Sequence, residues 1–484
     1  MTKQVRTLGI ALMVLFGILF VQLNYLQVVH ADKLAKDPRN TRRITRDFTR
    51  DRGDIQTSDG VVLARSVPSN DSFKRQRQYP AGALFGHITG FFGYYNATGV
   101  EQVYNDQLSG RHLGTRLPTG AQLFSNEQIT GTVTLTLSNK LQQVAAASLG
   151  NRKGTVVALD PTTGAILALW SFPSFDPNPL ASHDLNAAQQ AFNALNNDPN
   201  QPMLAKGWRR AFAPGSTFKV VTSSAVLDHK PELASKNYPV LKQLQLPTST
   251  KSLPNFGGES CGGTLPSLLK VSCNTGFGQI GLDLGADNLS AEADAFGVNS
   301  RPPFDENPGS VESTFPQAAK FKNDLPALAL SAIGQHDVQA TPLEMALIAS
   351  AIANGGVIMK PHVMQDIKDS EGRTVRTAKP DQWIRATSAE TAAAVRDMMI
   401  GVVTGGTATR AAIPGIQVAA KTGTAQTSGN NIHAWLIAFA PADAPKVAVA
   451  VIVEDQAGVS EATGGRIAAP IAQTVMRSAL GMGP

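Results

Sequence analysis

Three short stretches bring together residue types that could do acyl chemistry. The first is AFAPGSTFKV, residues 211 to 220. Pro214 and Gly215 punctuate the chain and an apolar pattern follows at Phe218, Val220 and Val221. That spacing predicts a helix starting at Ser216, with the serine as its N-cap. A capping serine is commonly partnered three residues later by Glu or Gln. Here that position holds Lys219, a cation in the first turn, where the helix dipole disfavours positive charge. A serine hydroxyl is a poor nucleophile until a nearby base takes its proton. A lysine one turn away becomes that base if its pKa is depressed, and a helix start acts in that direction. Backbone N–H groups there can also hold a developing oxyanion. Taken alone, Ser-x-x-Lys is weak, since it recurs by chance in many chains and reads first as a plain helix cap.

The second stretch is VSCNTGFGQIG, 271 to 281, which offers Ser272 and Asn274 with one residue between them. The third is AAKTGTAQ, 419 to 426, at the end of an apolar run and so expected on a strand. Lys421 gives positive charge, Thr422 and Thr424 give hydroxyls, and Gly423 lets a substrate backbone come close. Each has a plainer version: Ser272 and Asn274 as turn residues, Lys421 as a surface lysine.

Other elements must position these residues. The 484 residues are too many for one small domain, so two or three domains are expected. Apolar residues make up 42% and charged ones 17%, a globular balance with ample core material. The composition changes near 153. KGTVVALDPTTGAILALWSFPSFDPN reads as a hairpin, with strands 155–159 and 165–170 around the turn 160–164. Both strands are continuous apolar runs, which suits a sheet covered on both faces. Helical patterns follow from Ser216, around 265–273 and over 341–354. Strands return at 416–422, 433–440 and 446–455, and a last helix is expected over 468–480. The order predicts an α+β domain whose antiparallel sheet is closed by hairpins from both its ends. The preceding segment is irregular and polar. It carries two short strands around Ser58-Asp59-Gly60 and a short helix over 99–110. Its Arg52-Gly53-Asp54 resembles an adhesion tripeptide, but three residues recur by chance.

Ahead of that segment, Leu8 to Val21 carries no charge, and the apolar stretch continues to Val29, long enough to span a bilayer. A single-pass anchor, a signal peptide cleaved after Val29-His30-Ala31 and a buried core helix are the three readings. Lys3 and Arg6 argue for the N-terminus inside the cell; Lys33, Lys36 and the Arg39–Arg46 cluster argue against it. Net charge is +6, and six arginines lie between Arg39 and Arg52. That run could bind phosphates of lipid or nucleic acid, or be a solvated extended segment. Cys261 and Cys273 are the only two cysteines, with no Cys/His cluster at zinc-ligand spacing, so no metal is expected. A disulfide and two separate buried thiols both remain open.

Ser-x-x-Lys, Ser-x-Asn and Lys-Thr-Gly, together and in this order, are the signature of penicillin-binding proteins and serine β-lactamases. The chain resembles the class B, monofunctional penicillin-binding proteins, and most of all the small actinobacterial A type. GTVVALDPTTGAILALWSFPSFDPN, RRAFAPGSTFK, SAIGQ with TPLEMALIASAIANGG, and KTGTAQ with HAWLIAFAP match segments of their transpeptidase domain. RGDI and GVEQVYNDQLSG resemble their N-terminal module. The sequence departs at Cys273, in the middle of Ser-x-Asn, and at His336-Asp337 after Gln335. His336 is given no role and is read as loop or core.

The resemblance implies a cytoplasmic tail and transmembrane anchor over 1–30, a small mostly-β pedestal or dimerisation-type module over 31–150, and a transpeptidase domain over 151–484. The domain's antiparallel sheet would be covered by helices on both faces. It implies that Ser216 attacks the D-Ala-D-Ala carbonyl of a peptidoglycan stem peptide and Lys219 takes its proton. Ser272 would pass a proton to the departing D-Ala, and Asn274 would contact the substrate amide. Lys421, Thr422 and Thr424 would hold the terminal carboxylate, with N–H groups of Ser216 and Thr424 as oxyanion hole. An amine on a neighbouring strand would then resolve the acyl-enzyme. β-Lactams would acylate the same serine, and no cofactor is implied. Peptidoglycan lies outside the plasma membrane, so the N-terminus is expected inside, nucleic acid drops out as a partner, and a Cys261–Cys273 bond gains support. A membrane glycosyltransferase or other division or elongation protein is the partner implied for the module. A D,D-carboxypeptidase and a catalytically idle β-lactam-binding scaffold are the alternatives. A β-lactamase is disfavoured, because no acidic residue stands in a recognisable deacylation motif after Ser272.

Overall fold

The apolar runs near 155 and beyond 419 become one five-stranded antiparallel sheet. In this computed structural model, which describes residues 2–29, 48–110, 130–305, 309–426, 431–456 and 463–483, its strands are Gly154–Leu159 (β5), Ile166–Phe172 (β6), Ala419–Gln426 (β9), Ile432–Ala440 (β10) and Val447–Gln456 (β11). Their order is β9-β10-β11-β5-β6. The two ends of the domain therefore meet in mid-sheet, where Val451 of β11 faces Val156 of β5. Every residue of β5 is buried, as a strand covered on both faces requires.

Helices supply the two covers. Pro342–Ala353 (α6) packs on β5, β10 and β11. Asn139–Leu149 (α2) and Gly464–Ala479 (α8) pack on each other and on the sheet, α2 on β6 and α8 on β10 and β11. Each has a capping hydroxyl that satisfies an orphan N–H: Thr341 accepts from Glu344 N at 3.1 Å, Thr463 from Arg466 N at 3.2 Å, and Ser138 from Leu141 N at 3.4 Å. Ala389–Gly405 (α7) lies against β9.

Several element bounds differ from the expected ones. β9 begins at Ala419 rather than 416, because Ile413 and Ile416 bridge a tight turn through Gly415 at φ 77°. It then runs to Gln426, so Lys421-Thr422-Gly423 lies in mid-strand on the sheet's edge. The helix expected through 273 stops at Lys270 (α4, Leu265–Lys270), because Ser272 takes the left-handed φ of 60°. The next helix, Asn274–Leu284 (α5), starts two residues later. The 99–110 helix is two short pieces, Gly99–Val103 and Asn105–Leu108. α8 starts at Gly464, four residues early.

The N-terminal module has its own sheet. Ile55–Gln56 (β1), Val62–Pro68 (β2), Arg75–Gln78 (β3) and Thr132–Leu135 (β4) are joined by Met364–Lys368 (β7) and Thr374–Thr377 (β8), in the order β8-β7-β4-β1-β2-β3. The β7–β8 hairpin comes from within the later domain, and Ile367 of β7 faces Val133 of β4. The tripeptide at Arg52 is interior. Arg52 Nε and Arg77 Nε each lie 2.6 Å from a different oxygen of buried Glu101, and the Tyr79 hydroxyl lies 3.1 Å from it. An arginine so committed is no adhesion determinant.

At the N-terminus, Thr2–Asn24 (α1) continues as a π-turn to Val29. The most apolar 18-residue window within Lys3–Val29 has mean hydropathy 2.1 and none of it is buried, which removes the core-helix reading and fits an anchor or a signal sequence. His30-Ala31 and the arginines from Arg39 to Arg46 lie outside the described residues.

Candidate active site

Ser216 lies inside a 3₁₀ turn, Gly215–Phe218, that leads into Lys219–His229 (α3). It is therefore not the expected N-cap. Gly215 starts the turn at φ 54°, one residue earlier, and the hydroxyl that bonds locally is Thr217's, to Pro214 O at 2.7 Å. The turn is pressed against edge strand β9. A Cβ on Gly215 would sit 2.8 Å from Thr424 O, and one on Gly423 would sit 2.9 Å from Pro214 O. Glycine at 423 thus admits the serine turn itself on that side, where the sequence suggested a substrate backbone. Trp435 of β10, fully buried, donates from Nε1 to Ala213 O at 3.0 Å and fixes the approach to the turn. Ser216 is half-buried and opens into a cleft of about 1310 Å³, which Ser272, Asn274, Thr422, Gly423 and Thr424 also line.

Two buried lysines meet behind that cleft. Lys219 Nζ donates to Ser272 O at 2.7 Å, to Asn274 Oδ1 at 2.8 Å and to Ser272 Oγ at 3.4 Å. Lys421 Nζ donates to the same Ser272 Oγ at 2.8 Å and to Thr422 O at 2.8 Å. Among the described residues neither lysine bonds Ser216 Oγ. Both ammonium groups are fully buried without a carboxylate partner among the described residues. Burial pushes the Lys219 pKa well below its ordinary value, and the nearby charge of Lys421 pushes it further. Burial brings Lys421 down to about 7. The Phe277 ring, centred 5.3 Å from Lys219 Nζ, partly offsets the lost hydration.

The left-handed Ser272 is what allows this convergence. It breaks α4 from α5 and turns both its carbonyl and its hydroxyl toward the lysines. Asn274, first residue of α5, has both amide ends engaged, Oδ1 by Lys219 and Nδ2 on Pro254 O at 3.1 Å. Cys273 between them is joined to Cys261 in a disulfide, with Cα atoms 5.8 Å apart. The bond pins the Ser272–Asn274 turn to the short strand Cys261–Gly263. In the chain-entropy picture, closing a loop of that size is worth about 3 kcal/mol.

The structure thus gathers Ser216, Lys219, Ser272, Asn274, Lys421, Thr422, Gly423 and Thr424 at one cleft. Sequence reasoning missed Trp435, and it missed Thr407, whose hydroxyl lies 2.5 Å from that of Thr422. His336, read as loop or core, does lie in an exposed turn, at φ 61°, and it also lines the cleft. Gly334, two residues before it, is pressed against Gly215 O, a distant contact that leaves no mark in the sequence.

Comparison with known proteins agrees with this geometry. Residues 154–477 match the penicillin-binding protein transpeptidase domain, and residues 52–133 match the penicillin-binding protein A dimerisation domain. The chain is 40% identical to the peptidoglycan D,D-transpeptidase PbpA of Mycolicibacterium smegmatis over 99% of both chains. It is 39% identical to PbpA of Mycobacterium tuberculosis, again over 99% of both. The crystal structure of the latter organism's penicillin-binding protein A superimposes with a TM-score of 0.83 at 38% identity, covering 90% of this chain and 100% of that one. Its penicillin G acyl-enzyme complex gives 0.81 at 38% identity, over 89% and 100%. With its serine turn, lysine pair and Lys-Thr-Gly edge strand in one cleft, this chain belongs to the penicillin-binding protein transpeptidase family, as a class B member homologous to penicillin-binding protein A.

Proposed function

We propose that this chain is a peptidoglycan D,D-transpeptidase that cross-links stem peptides through a Ser216 acyl-enzyme. The observation that carries the reading is the meeting of Lys219 and Lys421 at Ser272, beside the Ser216 turn. Burial and like charge lower the Lys219 pKa and so favour its neutral amine, and a neutral amine is what a serine nucleophile needs. Ser216 Oγ attacks the carbonyl carbon of the penultimate D-Ala as its proton passes to Lys219. The oxyanion is held by the N–H groups of Ser216 and Thr424. Collapse breaks the C–N bond to the terminal D-Ala, and Ser272 relays a proton from Lys219 to the leaving amine. A neighbouring strand's amine then attacks the ester. Its proton returns to Ser216, and the new amide is the cross-link. Lys421, Thr422 and Thr424 hold the terminal carboxylate. Asn274 holds Lys219 in place and contacts the substrate amide.

In a β-lactam the same attack opens the ring, and the leaving nitrogen stays tethered. The N-terminal helix then reads as a single-pass plasma-membrane anchor with the N-terminus inside, since the substrate lies outside. The module over 31–150 reads as a pedestal for a partner such as a membrane glycosyltransferase, ahead of the transpeptidase domain over 151–484.

The test is intact-mass spectrometry of the full chain in detergent with penicillin, followed over hours beside Ser216→Ala. A stable adduct of one penicillin, absent in the variant, is expected. D-Ala release from a stem peptide should yield an amide when an amine is supplied. Rapid return to free protein would turn the reading to a hydrolase, D-Ala release with water alone to a carboxypeptidase, and no adduct at all to an idle scaffold.

A further inference from the structure

The residue in the middle of Ser-x-Asn leaves a helix without its own cap. Cys273 stands at the N-cap of α5, the position from which Ser, Thr, Asp or Asn accepts a bond from the first turn. Its sulfur is spent in the disulfide, and its side chain caps nothing. The oxygen comes from elsewhere in the chain. Asn255 Oδ1 accepts from Thr275 N, twenty residues away in sequence, at 2.9 Å. Asn255 Nδ2 donates to Leu241 O at 2.8 Å and to Glu259 O at 2.9 Å. Asn255 is buried, between exposed Pro254 and exposed Phe256. One asparagine thus ties the strand Tyr238–Leu241, the loop over 255–259 and the start of α5 together. Both ends of its amide are committed to protein, so it acts on a substrate only through its neighbours.

The neighbour that matters is Pro254. Its carbonyl and Asn255 N belong to one planar peptide, so holding Asn255 holds Pro254 O. Pro254 O accepts from Asn274 Nδ2 at 3.1 Å, while Asn274 Oδ1 accepts from Lys219 Nζ at 2.8 Å. A donor at one end and an acceptor at the other leave the Asn274 amide a single orientation. An amide nitrogen carries two hydrogens. One goes to Pro254 O, and Nδ2 makes no second bond among the described residues, which leaves the other hydrogen for a carbonyl in the cleft that Asn274 lines.

We propose that Asn255 is a positioning residue for acylation. It holds Pro254 O, and through that oxygen the orientation in which Asn274 meets an amide of the substrate. The inference rests on the transpeptidase reading. An asparagine that merely supports the fold would act on every substrate alike. A positioning one acts only on substrates that bring an amide for Asn274 to hold.

The full chain in detergent is reacted with penicillin G and, separately, with 6-aminopenicillanic acid. The second has the same fused rings and carboxylate but a free amine in place of the side-chain amide. Second-order acylation rates of Ser216 are read by intact mass. Wild type should favour penicillin G. Asn255→Ala should lower the penicillin G rate and leave the other within about twofold, so that the ratio of the two falls about tenfold. Asn255→Asp keeps an acceptor for Thr275 N but not the two donated bonds, and its ratio should fall between those of wild type and Asn255→Ala. A partly unfolded variant lowers both rates by one factor, so the ratio still reports positioning. Equal losses for the two compounds in both variants, or no loss, overturn the positioning role. A wild-type chain that neither compound acylates overturns the transpeptidase reading instead, and the role of Asn255 with it.

Discussion

Lys219 and Lys421 are cations that the fold makes reluctant to carry charge, and their tasks need opposite states. Lys219 must be neutral to accept the Ser216 proton, while Lys421 must be charged to hold a carboxylate. Burial sets Lys421 at about 7 in the free protein, so its charge fades as pH rises through that value. Penicillin acylation should therefore lose rate above about pH 7, on a limb that belongs to the free enzyme. A penicillin esterified at its carboxylate should react more slowly overall but lack that limb, since it gains nothing from a charged lysine. Second-order acylation rates for acid and ester between pH 6 and 9 check this. Alkaline limbs shared by both compounds would remove Lys421 from the carboxylate site. The same depression bears on stability. A lysine with a lowered folded value binds fewer protons folded than unfolded between about 7 and its ordinary 10.5. Its cost is thus full below 7 and fades as pH rises through that window.

At the scale of elements, α6 shows a local rule overridden by packing. Thr341 and Glu344 have the spacing of a capping box, in which the glutamate reaches back to the threonine N–H. That N–H is already taken by Ser313 Oγ at 3.1 Å. Both Glu344 oxygens are left buried without a partner among the described residues, and burial lifts the carboxyl to about 8. A raised acid binds more protons folded than unfolded between its ordinary 4.5 and about 8. Stability is therefore full below that window and lost as pH rises through it. Glu344→Gln keeps the shape and removes the ionisation. It should raise the melting temperature by about 2 °C or more at pH 8 and change it little at pH 5. Equal shifts at both pH values would mean that the carboxyl has a partner. The core strands were legible in the sequence because continuous apolar runs leave few alternatives, and the three motifs were legible because each is local. What escaped is what depends on distant contacts. Ser272's left-handed backbone has no sequence mark. Gly464 and Gly465 hide the start of α8 behind poor helix propensity. Thr407 earns its place only through Thr422 across the loop.

The whole molecule is knitted by a hairpin that sequence order does not reveal. Thr374–Thr377 is exposed throughout, its single apolar residue Val375 included, and gives no core signal. Its partner β7 nonetheless carries buried Ile367, and pairs with β4 through Met364↔Leu135 and Ile367↔Val133. Thr136 N adds a bond to Val363 O at 2.7 Å. The module's sheet is thus completed by the later domain, and the later domain's hairpin is covered by the module. Meanwhile α2, which precedes residue 150, packs on β6 and α8 of the catalytic sheet. A fragment that starts at residue 138 would keep α2 and every residue of the acylation site, but would uncover the β4-facing edge of β7 together with Ile367. An unpaired apolar edge is a template for association. The 138–484 fragment should therefore elute as oligomers or aggregate, whereas the 48–484 fragment should stay monodisperse and react with penicillin like the full chain. Size-exclusion chromatography with light scattering on both fragments decides it. A monodisperse 138–484 fragment acylated at the full-chain rate would mean that the shared sheet joins the domains without stabilising either.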